Sequence, residues 1–273
     1  MTIATAIGIP FLSSAKTGAN LVISNQVATM IRQLLAAGFG VKCHTDAYQF
    51  RDFFRRVEGF DPASPLDAAF AELTPETFFC VQILDGDRNV IAMCCGRVID
   101  APRLRGGLQA WLRQQRIFSD RSLPLWAPDI AIEGPAGRMH GRLGYVGGGW
   151  VMPPRPASAD DPGHPGWRRR GLIGFAVQLV HAHLAGRLHC DHLIGFVRPH
   201  HRALALSREG YGFAHEAKAA APYFPGTGYD EDLYFVHISR DEVVGRFARG
   251  EGPQYHIPSP PVRESISAMM KIG

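Results

Sequence analysis

One strand–loop–helix–strand unit, running from Gly141 to Val197, constrains this chain more than any other segment. Gly141–Met152 reads as a strand. Gly171–Ala185 reads as a helix, with Leu172, Ala176, Leu179 and His183 at helical spacing, and His189–Val197 as a second strand. Two strands joined through a helix lie parallel, and such a crossover belongs to a sheet whose faces are covered by helices.

The rest of the chain supplies the covering. Val27, Ile31, Leu34 and Leu35 mark a helix from Ser24, which can cap it, to the stop at Gly38 and Gly40. Val41–His44 predicts a short strand, Tyr48–Val57 a helix with its phenylalanines on one side, and Pro65–Leu73 a second short helix. Phe78–Leu84 and Val90–Val98 flank the turn Asp85-Gly-Asp-Arg-Asn89 and predict a hairpin. Gly107–Ile117 reads as a helix, Asp129–Glu133 as a strand, His201–Glu209 as a short helix and Leu233–Ile238 as the last strand. The expectation is an α/β fold with a mixed central sheet of about six to seven strands flanked by helices. Residues 1–23 are expected to be an irregular extension, 24–240 a single domain and 241–273 a polar, Pro-containing C-terminal tail.

Two features in the crossover unit point to a ligand. Glycine weakens a strand, so Gly147-Gly-Gly149 marks a bulge or a place where a ligand lies against the backbone; a local kink or plain close packing is the alternative. The strand ends at Trp150-Val-Met-Pro153, and after a Pro-, Asp- and Ser-rich loop Trp167-Arg-Arg-Arg-Gly171 opens the next helix. Helix N-termini carry unpaired N–H donors and the positive end of the macrodipole, which with these arginines suits a pyrophosphate. A solvated basic turn is the plainer reading, against which stand the glycine at a helix start and the strand–loop–helix context.

Val151-Met-Pro153 followed by Arg168-Arg-Arg-Gly171-Leu172 resembles the first signature of the GCN5-related N-acetyltransferases, V-x-P followed by R/Q-x-x-G-x-G/A. The second signature of that family is similar to His200, Ala203 and Ser207 followed by Gly210-Tyr211 or Gly212-Phe213. The resemblance covers roughly residues 41–240, most firmly 141–213. It implies the acyl-CoA N-acyltransferase fold with a splayed central strand, and acetyl-CoA as co-substrate. Val151 and Met152 would then face the pantetheine, and Arg168, Arg169, Arg170, Gly171 and Leu172 the diphosphate. The chain departs from the pattern in three ways: Ile173 stands at the final G/A position, a longer loop separates Pro153 from Arg168, and Ser207 replaces the tyrosine that protonates the departing thiolate.

The implied chemistry is direct attack of an amine on a thioester in a ternary complex, with a base to deprotonate the amine and an acid for the thiolate. Tyr145–Met152 holds no carboxylate, so the candidate bases are Glu133, Asp191 and His192, and the candidate acids Ser207 and Tyr211. A hydrogen-bonded pair at a sheet end also accounts for Asp191 and His192. His181 and His183 point apart on a helix, and His189 and His192 lie on opposite faces of a strand, so no metal site is expected.

The bulk properties exclude little. A formal charge of +4, with basic residues clustered only at Arg168–Arg170, does not imply nucleic-acid binding. No apolar run is long enough to span a membrane. Five cysteines without a CxxC pair suit reduced thiols and a cytoplasmic protein. The expected partners are acetyl-CoA and an amine acceptor, with a homodimer left open. A non-catalytic acyl-CoA-binding or regulatory module on the same fold is the alternative.

Overall fold

The computed structural model describes residues 18–62, 64–69, 71–100, 107–112, 131–154, 167, 171–220, 233–253 and 255. They build helices α1 (Gly18–Ala36), α2 (Ala47–Glu58), α3 (Gly107–Leu112), α4 (Leu172–Ala182), α5 (Arg202–Leu206) and α6 (Arg240–Ala248). The strands are β1 (Gly40–His44), β2 (Phe78–Leu84), β3 (Val90–Asp100), β4 (Ala131–Ile132), β5 (Arg142–Val151), β6 (His192–Val197), β7 (His215–Ala220) and β8 (Leu233–Ser239).

All eight strands join one mixed sheet in the order β1-β2-β3-β5-β6-β8-β7-β4. Every neighbouring pair is antiparallel except β5 and β6, the parallel pair that the crossover unit requires. The two-residue period of the strands sends alternate side chains to opposite faces. Phe79, Val81, Ile83, Val146, Leu193 and Val236 pack with α1, α4 and α6. Phe78, Cys80, Met93, Tyr145, Ile194 and Phe235 pack with α2 and α3 on the other face. Helix α4 lies at the centre of the first layer. Every residue in it except Ile173 is buried, as expected of a helix that is apolar all round.

The chain departs from the sequence expectation at several elements, each for a local reason. Helix α1 begins by Gly18, so Ser24 lies inside it rather than capping it. Between Pro65 and Leu73 the described residues form only a 3-10 turn, Ser64–Leu66. There Asp67 turns its carboxylate on its own backbone, accepting the N–H of Ala69 at 2.8 Å, and pairs with Arg51 at 2.8 Å. Strand β7, His-Glu-Ala-Lys-Ala-Ala, has poor strand propensity and is held by its ladder to β8.

The folded part also continues past residue 240. Helix α6 starts at a capping box, in which Ser239 and Glu242 satisfy each other's backbone N–H, and it buries Val243, Arg246 and Phe247. Of the expected helix 107–117, residues 107–112 are helical. The remainder lies outside the described residues, as do most of the expected amino-terminal extension and carboxyl-terminal tail.

Candidate functional site

The parallel pair β5–β6 holds together for three residues only, Leu143–Tyr145 against His192–Ile194. Both strands continue beyond that point, but with other partners. β5 follows β3 as far as Val151, opposite Ala92, and β6 follows β8 as far as Val197, opposite Tyr234. The sheet therefore opens between its two central strands.

The cause is the glycine triplet. Met93 pairs with Trp150 and Cys95 with Gly147, so β5 carries one residue more than β3 across this step. That is a β-bulge, which bends the bulged strand away from its neighbour. Gly148 sits at φ 62°, and a Cβ there would come within 2.8 Å of the Phe50 ring, so both backbone and space call for glycine. The Cys94 thiol closes the bulge by donating to the Gly147 carbonyl at 3.4 Å. Tyr145 and Leu66 cover it on the α2 side.

The opening exposes backbone. Met152 N–H donates to Ile91 C=O at 2.9 Å, which makes Ile91–Met152 a hydrogen-bonded pair and Ala92–Val151 a non-bonded one. The peptide groups of Val151 therefore point away from β3, toward the opening. Met152 offers no free backbone there, because its C=O accepts from Trp167 N–H at 3.1 Å. An unpaired strand edge of this kind is a template for an extended, amide-bearing ligand.

The second half of the site is the start of α4. Gly171, the N-cap, sits at φ 77° and brings no side chain to the first-turn amides. The Trp167–Met152 bond ties this helix start to the end of β5, and Ile173 Cδ1 lies 3.4 Å from the position a Cβ would take on Gly149. Bulge and helix start therefore adjoin. Arg168, Arg169 and Arg170 lie outside the described residues, as does the loop 155–166.

Gly174, one position after the place where the family signature has its glycine, serves packing. A Cβ there would stand 2.5 Å from the Glu209 carbonyl and 2.9 Å from that of Gly210. The segment after α5 thus lies directly on α4. It carries Ser207 and Tyr211. Ser207 ends α5, and its hydroxyl accepts the N–H of Gly210 at 3.3 Å. Tyr211 packs against the core layer that includes Cys94, with its ring 6.4 Å from that of His201. Burial raises the Tyr211 pKa well above the usual tyrosine range, so the phenol keeps its proton.

The three expected bases lie elsewhere. Asp191 sits at the closed end of the β5–β6 pair, where its carboxylate accepts Arg142 N–H at 2.8 Å and its own N–H donates to Arg142 C=O at 2.7 Å. His192 is the first residue of β6, paired with Ser239, at that same end. Glu133 is exposed next to β4, at the sheet edge, with β6, β8 and β7 between it and β5. His181 and His183 point to different neighbours, the rings of Phe213 and Phe79, and burial lowers each to a pKa of about 3.

No protein-family model matches the chain, and no curated protein matches it. Solved structures are similar in fold. Arabidopsis thaliana NAA60 in complex with acetyl-CoA is 13% identical, over 73% of this chain and 98% of that one, with a TM-score of 0.40. A spermidine N-acetyltransferase, SpeG, from Vibrio cholerae is 10% identical, over 77% of this chain and 98% of that one, with a TM-score of 0.42. FeeM, an N-acyl amino acid synthase from uncultured soil microbes, is 14% identical, over 75% of this chain and 92% of that one, with a TM-score of 0.38. At these scores the likeness decides nothing about activity, which must be argued from the site.

Proposed function

We propose that the chain is an acyl-CoA-dependent N-acyltransferase of the GCN5-related type, transferring acetyl from acetyl-CoA to a primary amine. The observation that carries this reading is the opening between β5 and β6 beside a helix start capped by glycine. Pantetheine is an extended diamide, and the outward peptide groups of Val151 match it. Met152 contributes its side chain only. A diphosphate suits the first-turn amides after Gly171 and at Leu172. Arg168, Arg169 and Arg170 would add charge there.

In the reaction the amine nitrogen attacks the thioester carbonyl, forming the C–N bond, and the C–S bond then breaks. Backbone N–H groups at the opening stabilise the oxyanion. Tyr211, neutral through burial, donates its proton to the departing sulfur and regains one from solvent. Ser207, with its hydroxyl turned to Gly210, is the weaker acid candidate. The amine proton leaves to water, since Glu133, Asp191 and His192 stand away from the opening.

Calorimetric titration with acetyl-CoA, paired with CoA release on a panel of primary amines, tests this. Binding with turnover on one or more amines is expected. Binding without turnover on any of them favours the non-catalytic acyl-CoA module, and absence of binding removes both readings.

A further inference from the structure

The segment that carries Tyr211 is gripped by two buried side chains that the proposed chemistry does not use. Gln178, fully buried on α4, donates to the carbonyls of Arg208 at 2.8 Å and Gly210 at 2.9 Å. Arg246, buried on α6, donates to the carbonyl of Gly212, to that of Arg208 at 3.3 Å, and to the Gln178 side-chain oxygen at 3.5 Å. Three alternate carbonyls, 208, 210 and 212, are thus held from one side, and Tyr211 stands between the last two. A buried arginine and a buried amide are expensive to desolvate, and they persist where hydrogen bonds satisfy them. Here most of those bonds go to one short segment.

Packing reinforces the grip. The chain passes so close to α4 that Gly174 leaves no room for a side chain. Glu251, just after α6, ion-pairs with Arg208 at 3.0 Å, tying the outer side of the same segment.

We propose that Arg246 and Gln178 are positioning residues that hold the segment carrying Tyr211 against α4 and so keep the half-buried phenol packed on the core. The inference rests on the reading of Tyr211 as the acid for the thiolate. Ordinary core packing would also place a polar pair here, so the test must read Tyr211 rather than stability.

Ultraviolet titration of tyrosine ionisation on the whole protein does so without any substrate. The difference between wild type and Tyr211→Phe isolates one tyrosine, expected to titrate above the ordinary value of about 10. In Arg246→Met and Gln178→Leu the segment loosens, Tyr211 meets water, and the same difference transition moves down toward about 10. Arg246→Lys, which can still reach one carbonyl, gives an intermediate position. A Tyr211 transition unmoved in both Arg246→Met and Gln178→Leu, with circular dichroism showing both folded, overturns the proposal.

Turnover of acetyl-CoA with an amine from the panel supplies the second arm. Arg246→Met is expected to lower kcat about as far as Tyr211→Phe does while KM for acetyl-CoA holds, and to add nothing in the Tyr211→Phe background. Full additivity overturns the positioning role. A Tyr211→Phe protein with undiminished kcat overturns the acid assignment instead, and leaves the titration to decide the clamp.

Discussion

The two ends of the β5–β6 pair are built from the same two strands and behave oppositely. At the closed end a carboxylate stitches them. Asp191 exchanges two hydrogen bonds with Arg142, and its carbonyl accepts Arg240 N–H at 2.9 Å, bringing the start of α6 to the same knot. At the open end an extra glycine residue turns β5 away, and the backbone pairing of the two strands stops at Tyr145 and Ile194. The difference shows that the opening is built rather than frayed. β5 and β6 keep their outer partners throughout, so the cost of the split falls only on the inner backbone edges, where a ligand can recover it. Polar side chains join the strands at the closed end, and backbone groups at the open end are left without a partner strand, as the proposed cofactor site requires.

Substitutions at the two ends should therefore separate function from stability. The largest effect is expected at the helix start that adjoins the open end. Gly171→Glu places a carboxylate among the amides proposed for the diphosphate, at a positive φ, and should abolish acetyl-CoA binding by calorimetry while circular dichroism shows the fold retained. Unchanged affinity in that variant removes the anion site. Tyr211→Phe should keep acetyl-CoA binding and lower kcat by about 100-fold or more, the usual scale for a lost general acid.

Gly148→Val asks a valine to adopt φ 62° against Phe50, and should destabilise the fold by about 2–5 kcal/mol in urea unfolding. At the closed end, Asp191→Ala removes an exposed hydrogen bond to the Arg142 N–H and should cost about 0.5–1.5 kcal/mol, with kcat unchanged. A fall in kcat with no loss of stability would return Asp191 to the catalytic group.

A further contrast, with both ends of the pair left intact, concerns pH. Burial holds His181 and His183 neutral in the folded chain down to a pKa of about 3, whereas the unfolded chain takes up their protons near the free value of about 6.5. Below that value the unfolded state binds more protons, so stability falls as pH drops from about 6.5 toward 3. Replacing both with glutamine should flatten that limb in unfolding curves taken at successive pH values. An unaltered slope would mean that the histidines are not its source.

Local signals made much of this legible in the sequence. The hairpin at 78–98, helix α2 and the parallel crossover rest on alternation, spacing and turn residues, and each stands within a few residues of its expected place. The bulge was readable from three glycines, because only a strand that must bend tolerates them. The capping box Ser239-Arg-Asp-Glu242 was a usable sign of α6, hidden by the polar residues that follow it. β7 carried no such sign, since its ladder to β8 overrides its composition.

The site divided along the same line. Backbone features, Gly147–Gly149 and Gly171, can be read from residue type. Which end of a strand a side chain reaches cannot, and so the sequence does not show that Asp191 and His192 lie at the closed end of the pair. Gln178 and Arg246 gave no signal, because their meaning lies in three carbonyls of a segment distant in sequence.

A crystal structure of the protein with acetyl-CoA bound is the most direct test of the central claim that the split between β5 and β6 is a cofactor site. The pantetheine amides should pair with the outward edge of β5 at Val151, with the diphosphate on the amides after Gly171 and the sulfur nearest Tyr211. Acetyl-CoA bound at another surface, with the opening between the strands closed or empty, would contradict it.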